Sequence, residues 1–237
     1  MSAAHQVALL IPVAYAFGSV PFGLIVGKSK GVDPRTAGSG NIGATNVGRL
    51  LGKRFFFVVF VLDLLKGMLP MVAAWVLLKD EPPEPRKFLL WLAVGFAAIL
   101  GHMFSIFLGF KGGKGVATSS GVVLGLFPYF TIPGLLCLLL WFVTFKATRY
   151  VSLASILAAV AFPVVYVVIG LLWPWPVFSG QWPLLAFALL VAAMIVWKHR
   201  SNIARLRAGT EHRFDPSAKP EGVSAAGGSS SQPTVGV

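Results

Sequence analysis

The sequence predicts an all-α polytopic membrane bundle of seven transmembrane helices, and three observations carry that expectation. Of the 237 residues, 56% are hydrophobic and 12% charged, about half the charged share of a globular domain. The apolar residues come in blocks without a single charge, at residues 1–27, 88–110, 115–145 and 150–197. The basic residues gather in the segments between those blocks. A soluble fold would lack polar surface, and the alternating pattern of barrel strands does not occur.

In chain order, the first span is expected over 5–27. Ala14-Tyr15-Ala16 resembles a cleavage site, but no basic residue precedes it, so the segment reads as a retained helix. Lys28 and Lys30 follow it, which sets the N-terminus outside. The second span, 55–78, contains Asp63 and Lys66. A charge at mid-membrane costs about 2.5 to 3.5 kcal/mol, and spacing of three lets the two pair on one helix face, so a structural ion pair is expected rather than a proton relay. The third span covers 88–110, and His102 near its inner end reads as a hydrogen-bonded packing residue.

The block 115–145 is 31 residues long, with Pro128 and Pro133 near its middle. Taken as two spans, 116–129 and 131–145, and followed by 151–172 and 183–197, it places 16 basic residues inside and three outside, Lys79, Arg86 and Lys87. Taken as one helix, it leaves eight inside and 11 outside. The excess of Lys and Arg in cytoplasmic loops selects seven spans and a cytoplasmic C-terminus. The two short helices of about 15 residues then cross only ~22 Å. Outer turns are marked by Glu81-Pro82-Pro83-Glu84-Pro85 and by Trp173-Pro174-Trp175-Pro176, with Trp182 completing an interfacial belt. Residues 1–214 read as a single domain, and 215–237, rich in Ser, Gly, Ala and Pro, as a disordered tail.

The net charge of +12 would suggest nucleic acid in a soluble chain, but confined to loops it points to orientation and anionic ligands. Cys137, the single cysteine, lies inside an apolar run and offers no disulfide, metal cluster or thiol motif.

Three inner segments carry unusual polar sequence. The first runs from Gly38 to Arg49 and holds Ser39, Gly40, Asn41, Thr45 and Asn46. It reads either as a flexible connector or as an anion cradle of N–H groups, hydroxyls and amides, with Arg49 as a fork-shaped phosphate partner. The second holds Lys111, Gly112, Gly113, Lys114 and Gly115 directly before a helix, whose N-terminus favours phosphate. It is not a P-loop, because Gly115 stands where Ser or Thr must ligate magnesium and the first glycine is one residue too near. No acidic cluster elsewhere replaces that ligand, so phosphate binding without an obligatory metal is expected. The alternative is a plain turn whose lysines rest on anionic headgroups. The third segment runs from His199 to Glu211, and a continuing helix would set His199 and Asn202 on one face. Arg200, Arg205 and Arg207 nearby would disfavour a protonated His199. Ser152 and Ser155, opening the sixth span, read as backbone-bonded helix residues.

Together GSGNIGATNVGR, GHMFSIFLGFKGGKGVAT and HRSNIARLRAGTE, with Asp63-Leu64-Leu65-Lys66-Gly67 and Ser152-Leu153-Ala154-Ser155, resemble the bacterial acyl-phosphate:glycerol-3-phosphate acyltransferase family from Val20 to about Glu211. The resemblance implies a multi-pass enzyme of the bacterial inner membrane with a cytoplasmic active site, serving phospholipid biosynthesis. It would move a fatty acyl group from acyl phosphate to the 1-hydroxyl of sn-glycerol 3-phosphate, giving lysophosphatidic acid and phosphate. It implies no cofactor and no metal, membrane lipid around a monomer, and no nucleic acid.

Carried across by motif position, catalysis falls on Ser39, Arg49, Lys114, His199 and Asn202. Substrate binding falls on Gly40, Asn41, Thr45, Asn46, Lys111, Gly112, Gly113, Gly115 and, ahead of Ser155, Ser152. Glu211, Asp63 and Lys66 give structural support. The leaving phosphate is already good, so the resemblance favours substrate assistance, with His199 and Asn202 positioning the acceptor, over His199 as general base. Acyltransferases with Asp five residues after His are excluded, since those positions hold Leu10, Phe107, Ala204 and Ser217. Magnesium-dependent alcohol phosphotransferases are excluded by the scatter of Asp33, Asp63, Asp80 and Asp215. The alternative from another class is a transporter for a phosphorylated or anionic small molecule, with 116–145 as a broken helix.

Overall fold

The structure, a computed structural model, describes residues 2–214. The expected tail, 215–237, lies outside them. Among the described residues every regular element is helical.

The first expected span is two helices, α1 (Ala3–Ser19) and α2 (Phe22–Lys28). The break falls on Val20-Pro21, because proline has no N–H for the helical ladder and drives the residue before it out of the helical region; Val20 takes ψ 118°. The first polar loop is not all loop. Its second half is α3 (Ala44–Leu51), which buries Val47 and Leu50 and packs on α4 (Lys53–Leu78). α5 (Pro85–Met103) follows, then a 3₁₀ turn at Ile106–Leu108.

α6 (Val116–Gly125) has 10 residues where 116–129 was expected, a rise of only about 15 Å. Pro128 disfavours helical geometry just ahead of itself, and the chain turns through 126–130 into α7 (Thr131–Thr148). α8 (Val151–Leu172) and α9 (Trp182–Lys198) complete the bundle, and α10 (Arg200–Arg207) leaves α9 at 58°. Among the described residues five segments are long and apolar enough to cross a membrane, and α9 with α10 makes a sixth if the bent pair is one span. The chain is a multi-pass membrane protein.

The block 115–145 goes out and back. Lys114 and Ser152 both reach the 202–211 segment at one end of the bundle. Tyr129, between α6 and α7, lies at the other end, 5.1 Å from the Phe88 ring in the first turn of α5 and 5.7 Å from Trp175 between α8 and α9. A single interrupted helix is therefore not the path of this segment.

In lipid no hydrophobic force draws helices together, so they associate where small residues let backbones touch. α4 and α6 meet at Gly67 and Gly121, where a Cβ would strike the carbonyls of Thr118 and Leu64. α1 and α5 meet in the same way at Gly18 and Gly101, against Ala98 and Tyr15. Asp63 and Lys66 form the expected buried pair at 2.8 Å. Lys66 Nζ also donates to Val20 O (2.9 Å) at the α1–α2 break, and His102 Nδ1 stands 3.6 Å from Asp63. The pair thus braces α4 against the α1–α2 break and α5.

Candidate active site

The site is built at the α9–α10 corner. His199 is buried there, and its Nδ1 lies 2.8 Å from Ile195 O. A carbonyl only accepts, so Nδ1 carries the proton and Nε2 is left as an acceptor. α9 stops at Lys198 and does not continue as expected; His199 caps α10 at the corner, Asn202 lies in the first turn of α10, and both line one cavity. Asn202 accepts from Lys114 Nζ (2.6 Å) and donates to Glu211 Oε1 (2.6 Å). Glu211 also receives Ser152 Oγ on Oε1 and Arg205 Nε on Oε2, each at 2.7 Å. This one carboxylate ties α8 and α10 to its own segment, and Asn202 extends the network to Lys114. Ser155 is engaged elsewhere, donating to Val151 O and accepting from Trp141 Nε1.

Burial lowers Lys114 to about 8, with Arg205 and Arg49 pushing the same way and Glu211 opposing. Burial, then the charge of Lys114, lowers His199 to about 4. At neutral pH the site holds a neutral imidazole and a largely charged amine. Burial alone would raise Glu211, yet the hydrogen bonds from Ser152, Asn202 and Arg205 hold it below the usual carboxylate range. Arg200 and Arg207, expected to act on His199, are exposed.

Ahead of α3, the Gly38–Gly43 part of the first polar segment is a loop held in one conformation by side-chain hydrogen bonds, not a flexible connector. Asn46 is buried and saturated, donating Nδ2 to the carbonyls of Pro34, Ala37 and Asn41 and accepting from Ser39 N–H (2.8 Å). Gly38, at φ 58°, leaves no room for a Cβ beside Asn46 Oδ1. Asn46 therefore organises the loop. Ser39, Asn41, Thr45 and Arg49 face a cavity, whereas Gly40 is exposed and outside its wall. Arg49 Nη2 donates to His212 O (3.1 Å).

In the glycine-rich loop the expected cradle of amides is only partly free. Gly112 N–H donates to Met103 O (3.2 Å) and Gly113 N–H to His102 O (3.0 Å), so both serve the C-terminal carbonyls of α5. A side chain on Gly113 would strike His102 Nε2. Lys111 is exposed, and Lys111, Gly112 and Gly113 do not line the cavity; Lys114 and Gly115 do. Gly115, at φ 84°, caps α6 in a conformation that side chains disfavour.

The cavity measures about 520 Å³. Its mouth is polar, lined by Arg49, Lys114, Ser152, His199 and Asn202, and its interior runs between α4, α6, α7, α8 and α9 to Phe130, Phe162 and Phe187. Arg205, expected only to disfavour a protonated His199, and His212, which the sequence did not single out, also line it. His212 is next to Glu211 in the sequence. Lys198 was missed too: its Nζ donates to Met103 O (2.8 Å), the carbonyl that receives Gly112. Among the described residues no three His, Cys, Asp or Glu side chains converge as a metal set. Fixed cations and neutral hydrogen-bonding groups over an apolar cavity suit a phosphate joined to an alkyl chain.

The family described as glycerol-3-phosphate acyltransferase matches residues 8–209. The glycerol-3-phosphate acyltransferase of Geotalea daltonii is 45% identical over 207 residues, covering 87% of this chain and 96% of the relative. That of Aquifex aeolicus is 43% identical over 213 residues, covering 86% and 97%. Crystal structures of PlsY, an integral membrane glycerol 3-phosphate acyltransferase, are 42% identical and cover 89% of this chain and 96% of theirs. Their TM-scores are 0.77 for the glycerol 3-phosphate form and 0.74 for the lysophosphatidic acid form. With the helical bundle and the three motifs meeting at one cavity, this match shows that the chain belongs to the glycerol-3-phosphate acyltransferase family.

Proposed function

We propose that the protein transfers a fatty acyl group from acyl phosphate to the 1-hydroxyl of sn-glycerol 3-phosphate, releasing lysophosphatidic acid and phosphate. The observation that carries this reading is one continuous cavity with Lys114, Arg49, His199 and Asn202 at its mouth and an apolar interior. Both substrates bring phosphate, and one brings an alkyl chain.

In this reading Arg49, Lys114, Ser39 and the first-turn N–H groups of α6 neutralise phosphate. Asn41, Thr45, Gly115 and Ser152 complete the wall, while Asn46 and Glu211 hold the loops that carry them. His199 Nε2 and Asn202 orient the acceptor. The 1-hydroxyl oxygen attacks the acyl carbon, the new ester C–O bond forms, and the C–O bond to phosphate breaks with its electron pair leaving on phosphate. The hydroxyl proton passes to a phosphate oxygen. Alignment and charge neutralisation supply most of the rate enhancement, and no cofactor is required.

Residues 1–214 act as one domain and as a monomer in the bacterial inner membrane, crossing it seven times with the N-terminus outside and the site on the cytoplasmic side. The 16-to-3 division of basic loop residues and the out-and-back path of 115–145 support this topology. α6 and the turn after it together make the short fourth pass.

Purified protein should release phosphate from tetradecanoyl phosphate only when glycerol 3-phosphate is present, and a chelator should leave the rate unchanged. Glycerol 3-phosphate carried into vesicles without phosphate release would reverse the reading in favour of a transporter. For topology, Glu84→Cys should react with an impermeant thiol reagent on intact cells, and Ser29→Cys and Ser201→Cys should not, each in a Cys137→Ser background. The opposite labelling pattern inverts the orientation.

A further inference from the structure

We propose that Phe130, Phe162 and Phe187 form a fixed floor that gauges the length of the acyl chain, an inference that rests on the acyl-transfer reading above. The cavity has a defined depth along two of its helices. On α8, Ser152 stands at the mouth and Phe162 at the floor, 10 residues or about 15 Å apart. On α9, His199 and Phe187 are 12 residues or about 18 Å apart. The two values agree. An extended alkyl chain advances about 1.25 Å per carbon, the axial projection of a 1.5 Å C–C bond, so some 12 to 14 carbons reach the floor.

The shaft is open because small side chains face it, with Gly134, Ala158, Ala159, Ala188 and Ala192 all in its wall. The floor is rigid. The Phe130 ring meets Phe162 edge-on at 4.9 Å and Tyr166 at 5.3 Å, and lies 6.3 Å from Phe187. Tyr166 is held in turn by its hydroxyl, which donates to Gln181 Oε1 (2.9 Å). Interlocked rings pinned by a buried hydrogen bond have little room to yield to a longer chain. One competing route exists: Phe57, Val61 and Leu138 line the cavity and are also exposed on the outer face, between α4 and α7. A chain leaving there would never meet the floor.

The test is kcat/KM for saturated acyl phosphates of 10 to 18 carbons. Phe187→Ala opens the floor and should move the optimum two or more carbons longer. Ala159→Phe raises an obstacle about one helical turn nearer the mouth and should move it three or four carbons shorter, with a loss of roughly fourfold for each methylene denied burial. The KM for glycerol 3-phosphate should stay at the wild-type value in both, which shows that the mouth is intact. Chain-length profiles that coincide with wild type overturn the floor and leave the α4–α7 opening as the exit. A wild-type enzyme inactive on every acyl phosphate overturns the acyl-transfer reading instead, and the gauge with it. Cys137, in the same wall, gives a measurement on the unmodified chain. Tetradecyl phosphate should slow its alkylation by N-ethylmaleimide far more than hexyl phosphate does, and equal protection by the two contradicts a chain lying down the shaft.

Discussion

Lys114→Ala is expected to lower kcat/KM for glycerol 3-phosphate by about 10²-fold or more, the scale for removing one fixed charged donor from a preorganised site, while Lys111→Ala stays within a few-fold. The two lysines are three residues apart in one loop, yet only Lys114 turns into the cavity, where its Nζ meets Asn202 Oδ1 at 2.6 Å. Lys111 faces outward. Because burial lowers Lys114 to about 8, its charge is lost as pH rises through that value. The KM for glycerol 3-phosphate should therefore climb above pH 8 in the wild type. Lys114→Arg, which stays charged across that range, should flatten the climb. Bound phosphate favours the charged amine, so saturating substrate should push the inflection to higher pH. Steady-state kinetics from pH 6.5 to 9.5 decide the matter. Equal losses for Lys111→Ala and Lys114→Ala would remove Lys114 from its assigned role.

The bundle was legible in the sequence because lipid imposes a single demand over long stretches. Twenty or so apolar residues without a charge have few other structures open to them. Interruptions at the scale of one turn were less visible. Pro21 was in plain view, but the apolar run continues through it, and hydropathy does not register a missing N–H. α3 was hidden for the opposite reason: its Asn, Thr, Gly and Arg suggest a loop, and only packing on α4 makes Val47 and Leu50 its buried face.

The site residues were legible as types but not as directions. The Gly112 and Gly113 amides had the right chemistry for phosphate, yet the chain folds them back onto α5, a long-range contact that no local pattern announces. Asn46 carried the same ambiguity and is spent on the backbone of its own loop. The contribution of Lys198 could not be read at all, since its partner is the carbonyl of Met103, 95 residues away.

His199→Ala is expected to lose roughly 10²- to 10⁴-fold in kcat/KM, with the loss shared between KM and kcat, and His199→Asn to recover part of it. The proton on Nδ1 is fixed by Ile195 O, which leaves Nε2 as an acceptor. A general base works best when its conjugate acid titrates near the operating pH. His199 is lowered to about 4 by burial and by Lys114, whereas a phosphate monoester titrates near 6. That order makes substrate phosphate the better proton acceptor and leaves His199 to orient the hydroxyl. The pH–rate profile separates the two roles. If phosphate takes the proton, activity falls as pH drops through about 6, in the wild type and in His199→Asn alike. If His199 takes it, the wild-type acid limb lies near 4 and vanishes in His199→Asn. An enzyme with His199→Asn that binds glycerol 3-phosphate at wild-type affinity but turns over none of it would return the histidine to the role of base.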